Sequence, residues 1–259
     1  MKLVSWNVNG IRSARQKGLL DFIVRQKPDI LCLQETKAQP ERLKENERTF
    51  SGYEILFSSA KKPGYSGVAT LYRNRLPPSR AVPGIGIAKY DEEGRFLLTD
   101  HGDFLLCNAY FPSGTTGEVR QAFKYRFLDD FLNYLKTLPP RDFDRLIICG
   151  DFNICHRDID IHHPAEAAKR QLSGFLPDER KWLDDFIAAG FVDAFRLIHG
   201  DKPGQYSWWS FRAGSRGKNL GWRIDYFMVS TKLASRVKDA AILQAVKGSD
   251  HCPLVLVLD

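Results

Sequence analysis

The chain has 259 residues, 43% hydrophobic and 27% charged, which excludes a disordered polymer and fits a globular protein with a sizeable core. Its 38 Lys and Arg against 31 Asp and Glu give a net charge of +7, which favours a polyanionic partner such as nucleic acid or an anionic surface. Cys32, Cys107, Cys149, Cys155 and Cys252 are odd in number, widely spaced and without a Cys-x-x-Cys pair, arguing for buried thiols in a reducing, cytosolic setting rather than a disulfide frame or zinc site.

Strand-like runs fall at 2–8, 29–34, 53–58, 66–73, 95–100, 103–111, 145–150, 206–211, 222–230, 238–245 and 253–258. Because Met1-Lys2 leads straight into the first of these, no signal peptide is expected. No apolar run approaches the roughly 18 residues that span a bilayer, so no membrane partner is expected either. Helices are predicted over 13–26, from Glu118 to Leu138 and from Asp178 to Ala189. The second places Val119, Phe123, Phe127, Phe131, Leu135 and Leu138 on one face and stops at Pro139-Pro140. The third carries Trp182, Leu183, Phe186 and Ile187 and ends at Gly190. Strands outnumber helices and do not alternate with them regularly. That pattern predicts an α/β fold of two mixed sheets packed face to face with helices outside. No repeat or linker divides the chain, so residues 1–259 are read as one domain.

Polar side chains sit where the most apolar runs end. Asn7 and Asn9 alternate with Trp6 and Val8 and share a face. Glu35 closes Ile30-Leu-Cys-Leu-Gln, where a carboxylate suits a hard cation, although for an isolated Glu a solvated strand end is the favoured reading. Gly150-Asp-Phe-Asn153 follows a wholly apolar run: Asp151 can position or deprotonate water and Asn153 can hold it, or the pair simply closes an Asx-turn. Asn108 and Tyr110 share a face; Tyr110 can donate to a phosphate oxygen or serve as a core tyrosine. Asp250 precedes His251, a pairing that can orient an imidazole towards an oxyanion. The stretch 206–226 holds three of the five Trp and four basic residues before its first acid, Asp225, which suits stacking on bases or sugar beside phosphates. Trp209 reads as core, Trp208 and Trp222 as a substrate-facing pair.

Nine blocks together resemble the exonuclease III branch of the endonuclease/exonuclease/phosphatase superfamily, the apurinic/apyrimidinic endonucleases of base-excision repair. They are Trp6-Asn-Val-Asn-Gly10, Leu33-Gln-Glu-Thr-Lys37, Gly64-Tyr-Ser-Gly-Val68, Glu93-Gly-Arg95, Ala109-Tyr-Phe-Pro112, Gly150-Asp-Phe-Asn153, Gly174-Phe175, Gly221-Trp-Arg-Ile-Asp225 and Ser249-Asp-His251. They occur in family order over essentially the whole chain.

The resemblance implies a four-layered α/β sandwich with one site along a rim shared by the two sheets. It implies Mg2+, with Mn2+ as a substitute, held chiefly by Glu35 with Asn7 and Asp250 near it. It casts Asp151 as the group that activates water, Asn153 as its holder, His251 paired with Asp225 as the stabiliser of phosphate charge, and Tyr110 as a contact to the phosphate or the leaving 3′-oxygen. Trp208, Trp222 and Ile224 match a pocket for a flipped, base-less deoxyribose. Arg12, Lys37, Tyr65, Arg95 and Arg216 match contacts to the DNA backbone. The implied partner is double-stranded DNA with abasic sites or blocked 3′ ends, cut by a monomer in the cytoplasm, nucleoid-associated in a prokaryote.

Two departures stand out. Residues 165–173 lack the Asn residues that relatives place there, so Lys169 and Arg170 are expected to replace them as charge contacts. Residues 113–117 lack the amide or Arg of some relatives, which bears on product hold and exonuclease strength. Rival readings are a superfamily phosphodiesterase for phospholipid or inositol phosphates and a catalytically silent regulator. The basic, Trp-bearing stretch argues against the first and the filled catalytic positions against the second.

Overall fold

A computed structural model describes residues 1–259, Ala213 by its backbone only. The strands are β1 (Lys2–Asn7), β2 (Ile30–Gln34), β3 (Tyr53–Ser58), β4 (Val68–Arg73), β5 (Arg80–Pro83), β6 (Phe96–Asp100), β7 (Leu105–Tyr110), β8 (Leu146–Asp151), β9 (Phe191–Asp193), β10 (Asp225–Ser230), β11 (Val237–Ile242) and β12 (Leu254–Leu258). They form two six-stranded mixed sheets, in the orders β11-β12-β1-β2-β4-β3 and β5-β6-β7-β8-β10-β9. Each sheet is antiparallel except at its centre, where β1 runs parallel to β2 and β7 to β8.

These central pairs face each other across the sheet interface. A strand covered on both faces must be apolar throughout. In β8, Ile147 and Cys149 turn towards the other sheet while Leu146 and Ile148 turn towards the helices. Helices Glu118–Thr137 and Pro177–Ala188 cover the outside of one sheet over Phe111, Phe131, Phe152 and Phe186. Helices Ile11–Gln16 and Leu19–Gln26 cover the other over Trp6 and Phe22. The architecture is therefore helix, sheet, sheet, helix, as the sequence predicts. All five cysteines are buried and unpaired. Among the described residues no helix is long and apolar enough to cross a membrane.

Several expectations need correction. The helix over 13–26 is two helices, broken at Gly18, whose φ of 99° is left-handed. Val119 does not join the apolar face of its helix: it lies in the first turn and is 86% exposed. Residues 206–211 form no strand; Trp208 only makes isolated bridges to Trp222 and His251, and Ser207 turns its hydroxyl to Asp225. The short strands β5 and β9 escape the pattern, as do the helices Pro164–Lys169 and Ala194–His199. The last is started by the Asp193 carboxylate, which accepts from the Phe195 and Arg196 amides.

Candidate active site

Parallel pairing places the C-terminal ends of β1, β2, β7 and β8 on one rim, so Asn7, Glu35, Tyr110 and Asp151 arrive there from different sheets. β10 runs antiparallel to β8 and begins opposite its end, with Asp225 in register with Asp151. The segment before β12 adds Asp250 and His251. Gly150 is required where β7 and β8 approach: its φ is 135°, and a Cβ there would lie 1.9 Å from the Ala109 carbonyl oxygen. Asn9, Glu35, Lys37 and Asn153 all hold left-handed φ values, between 47° and 54°. Four such non-glycine residues on one rim mark backbone strain held by the surrounding contacts.

The Asn7 amide donates to Asp151 Oδ2 at 2.9 Å and to Glu35 Oε2 at 3.2 Å, tying the two sheets together. Asp151 Oδ1 accepts from the Asn153 backbone N–H at 2.8 Å, and the Asn153 side-chain amide donates to the Phe111 carbonyl at 2.9 Å. Burial, and then the neighbouring Asp225, push the Asp151 carboxyl above its ordinary value. His251 Nδ1 lies 2.8 Å from Asp225 Oδ2, and its Nε2 lies 3.8 Å from Asp151 Oδ2. Burial alone would lower the imidazole, but Asp225 and Asp151 outweigh it and lift it to about 10. The ring is thus an imidazolium between two carboxylates.

Two donor sets could attract a cation. Asp151, Asp225 and His251 bring ligand atoms within 4.8 Å of one another. In this trio, however, His251 Nδ1 and Ser207 Oγ already engage Asp225, and Asn7 and Asn153 already donate to Asp151. The second set is Glu35, Asn7 and Asp250. Glu35 is partly exposed and pairs with the Lys37 ammonium at 3.0 Å, which also donates to Asn9 Oδ1 at 2.6 Å. Asp250 accepts from Asn9 Nδ2 and from Trp208 Nε1, both at 3.0 Å. Burial raises the Asp250 carboxyl, but His251, Asn9 and Trp208 together hold it below its ordinary value. Hard oxygen donors that already draw an ammonium onto their rim fit a divalent ion with few protein ligands.

The rim opens into a cleft of about 820 Å³, lined among others by Glu35, Tyr110, Asp151, Asn153, Trp208, Trp222, Ile224, Asp250 and His251. Trp208 and Trp222 meet edge to face with centroids 6.0 Å apart, beside the buried Ile224. Trp209 is core, 2% exposed. Tyr110 lies under the Arg95 guanidinium at 4.8 Å; burial and the nearby Glu35 carboxylate drive its hydroxyl well above the ordinary value, so it is a proton carrier at neutral pH.

The outer cations fall into two groups. Arg12, Lys169 and Arg170 are on the surface; Arg12 pairs with Glu47 and Arg170 with Glu166. Lys37 is at the rim itself. Arg95 is only 3% exposed, clasped by Glu93 at 2.5 Å and donating to the Tyr110 carbonyl and the Tyr65 hydroxyl. Arg216 spends its guanidinium on the carbonyls of Ser249, Gln244 and Val246, so it holds the turn that carries Asp250. The sequence grouped these two with Arg12 and Lys37 as backbone contacts; the burial of Arg95 and the three carbonyls that hold the half-buried Arg216 set them apart.

Some contributors were not singled out beforehand. Ser207 Oγ donates to Asp225 Oδ2 at 2.6 Å and accepts from the amides of Ile224 and Asp225. Arg120 joins Arg95 on Glu93 and Tyr65. Arg223, buried, pairs with Asp160 and Asp193 directly behind the Trp222–Ile224 wall. A basic residue flanked by Trp and Ile in an otherwise apolar stretch was the available signal for Arg223; nothing local marked Ser207.

Residues 4–251 match the model of the endonuclease/exonuclease/phosphatase family. The chain is 38% identical over 260 residues to an exodeoxyribonuclease of Bacillus subtilis, covering all of both sequences. It is 38% identical over 262 residues to a DNA-(apurinic or apyrimidinic site) endonuclease of Dictyostelium discoideum, covering all of this chain and 71% of that one. The fold matches an AP endonuclease from Archaeoglobus fulgidus with a TM-score of 0.87 at 30% identity, covering 100% of this chain and 99% of that one. It also matches the catalytic domain of APE2 from Xenopus laevis, with a TM-score of 0.88 at 30% identity over 100% and 91% of the two chains. With its motifs in order, its two sheets in this arrangement and its matches running nearly end to end, the chain belongs to the endonuclease/exonuclease/phosphatase family, in the exonuclease III-type branch of nuclease hydrolases.

Proposed function

We propose that this protein is a Mg2+-dependent DNA repair nuclease that hydrolyses the phosphodiester 5′ to an abasic site and leaves a 3′-hydroxyl. The same centre would remove blocking groups at 3′ ends and degrade DNA 3′→5′. The observation that carries the reading is the direct adjoining of two features in one cleft: a water-activating carboxylate beside an imidazolium, and a small aromatic-walled recess.

Asp151, buried and raised in affinity for protons, aligns water and takes its proton as the water oxygen attacks phosphorus. Asn153 holds that water. His251, kept cationic by Asp225, lies against the phosphate oxygens and offsets the charge that builds on them. The bond from phosphorus to the upstream 3′-oxygen breaks, and the Tyr110 hydroxyl, which keeps its proton at neutral pH and lines the cleft, would donate to that departing oxygen. Glu35, with Asn7 and Asp250 near it, would hold Mg2+ or Mn2+, which when bound supplies positive charge to the phosphate and leaving oxygen. Trp208, Trp222 and Ile224 take up the base-less sugar, whose extrahelical excursion costs less than that of an intact nucleotide.

Arg12, Lys37, Tyr65, Lys169 and Arg170 would follow the duplex backbone. Arg95 and Arg216 would act on it through Tyr110 and the Asp250 turn. The protein would work as a single-domain monomer in the cytoplasm.

The test is a labelled duplex with one tetrahydrofuran abasic analogue, incubated in Mg2+ or in EDTA, with undamaged and 3′-recessed duplexes as controls. Mg2+-dependent incision immediately 5′ to the analogue is the expected result. Tight binding without incision under any metal condition would overturn it.

A further inference from the structure

Lys124 and Glu179 are both fully buried, on helices Glu118–Thr137 and Pro177–Ala188, with 2.5 Å between Nζ and Oε1. Two buried charges at this spacing add little stability over an apolar pair of equal volume, so their bonds to other parts of the protein set their effect. The Lys124 ammonium also donates to the Asn153 carbonyl at 2.8 Å. The second Glu179 oxygen accepts from the backbone amides of Gly174 at 2.6 Å and Leu176 at 3.0 Å. Gly174 in turn lies between the two halves of the cleft. A Cβ on it would sit 3.1 Å from the Asn153 carbonyl oxygen and 3.1 Å from the Trp222 ring. Lys124 and Glu179 thus link Asn153 to Gly174, and the Gly174 carbonyl closes the circuit by accepting from the Cys155 amide at 2.7 Å. It joins the left-handed turn that carries Asp151 and Asn153 to the wall on which Trp222 rests.

We propose that the Lys124–Glu179 pair is a positioning device that fixes the Asp151–Asn153 turn against the Gly174–Trp222 wall, and so sets the register between the attacking water and the bound sugar. The inference rests on the nuclease reading above. Neither side chain touches the substrate. Lys124 fixes the direction of the Asn153 peptide, and Glu179 fixes the depth of the wall. A misplacement of well under an ångström between them falls on the reacting geometry rather than on DNA affinity, which the outer cations carry.

The test compares wild type with Lys124→Arg, which keeps a charged donor, and with Lys124→Met/Glu179→Gln, which removes both charges but keeps an acceptor for Gly174 and Leu176. Single-turnover incision of the tetrahydrofuran duplex, KM and the thermal midpoint are measured in parallel. Expected for the double variant are a near wild-type midpoint, KM within about twofold and kcat lower by about tenfold; for Lys124→Arg, kcat within about threefold of wild type. A folded double variant with wild-type kcat overturns the proposal, as does a folded Lys124→Arg that loses as much as the double variant. Should the double variant fail to fold, Gly174→Ala decides, because its Cβ wedges the same circuit from the cleft side. A folded Gly174→Ala with wild-type kcat then sinks the idea, and a fall of about fivefold or more supports it. If wild type itself does not incise, the failure lies with the nuclease reading and not with the pair.

Discussion

Asp225 offers one oxygen, Oδ2, to two donors: His251 Nδ1 at 2.8 Å and Ser207 Oγ at 2.6 Å. The carboxylate is therefore oriented from behind before it orients the imidazole. Asp225→Asn should lower kcat by about 10²–10⁴ with little change in KM, because it withdraws the charge that keeps His251 cationic. Ser207→Ala should do the same more weakly, by removing only the orientation. Steady-state kinetics on the abasic duplex would check both; an Asp225→Asn enzyme at full speed would remove His251 from the mechanism.

The same pairing fixes a pH dependence. His251 is protonated below its raised value of about 10 and loses its proton above it. Incision should rise as Asp151, lifted to about 7, loses its proton, and fall again as pH passes the His251 value. Asp225 is the principal group raising the imidazole, so in Asp225→Asn the alkaline fall should move to lower pH. A profile of log kcat between about pH 6 and 11 reads the shift directly. An unmoved alkaline limb would mean another group controls it.

Glu35 and Asp151 should separate by variant. Glu35→Gln should raise the Mg2+ concentration needed for half-maximal incision, while DNA binding in EDTA stays near wild type. Asp151→Asn should abolish turnover at every Mg2+ concentration and leave duplex affinity largely intact. A Mg2+ titration of incision alongside fluorescence anisotropy distinguishes them. Saturable cleavage by Asp151→Asn would remove it as the water-activating group.

On the surface, Lys169 is unpaired among the described ion pairs, whereas Arg170 reaches Glu166 at 3.0 Å. Lys169→Ala/Arg170→Ala should reduce the slope of log K against log salt by about one to two, since each lost phosphate contact removes about 0.9. An unchanged slope would show that the duplex does not pass over the helix Pro164–Lys169.

Stability at acid pH should depend on Asp160. Burial raises its carboxyl, but Arg223 and Arg196 outweigh this and bring it to about 2, from an ordinary value of 3.8. A depressed carboxyl contributes stability above the unfolded-state value and loses it as pH falls towards the folded one. The contribution is thus complete above about pH 4 and fades towards 2. Asp160→Asn should cost about 3–5 kcal/mol at neutral pH and flatten the dependence between pH 4 and 2. Urea midpoints at several pH values would show it; an equally steep acid dependence in the variant would contradict it.

The sheets were legible because their central strands are apolar on consecutive residues and their ends are abruptly polar, as in Leu146–Asp151. β5 was not, since Arg80-Ala-Val-Pro83 is an exposed edge with neither alternation nor bulk. The site residues could be singled out one by one at strand ends. Their meeting could not be read that way, because Asn7 reaches Asp151 across 144 positions and Asp225 reaches His251 across 26. The resemblance of nine blocks supplied that assembly. It did not separate the buried Arg95, or the half-buried Arg216 that is tied to three carbonyls, from exposed cations, because a guanidinium's environment is not written in its neighbours along the chain.

The Asn7–Asp151 hydrogen bond crosses from one sheet to the other, directly above a layer in which Leu3, Cys32, Ile147 and Cys149 are packed without gaps to solvent. The cleft is a seam, and its width is set by what fills the space beneath it. A close-packed interior passes on a change of even one methylene rather than absorbing it. The residues between the sheets, far from any phosphate, therefore act as the gauge block of the active site: altering their volume alters the spacing of reacting groups while the fold still stands.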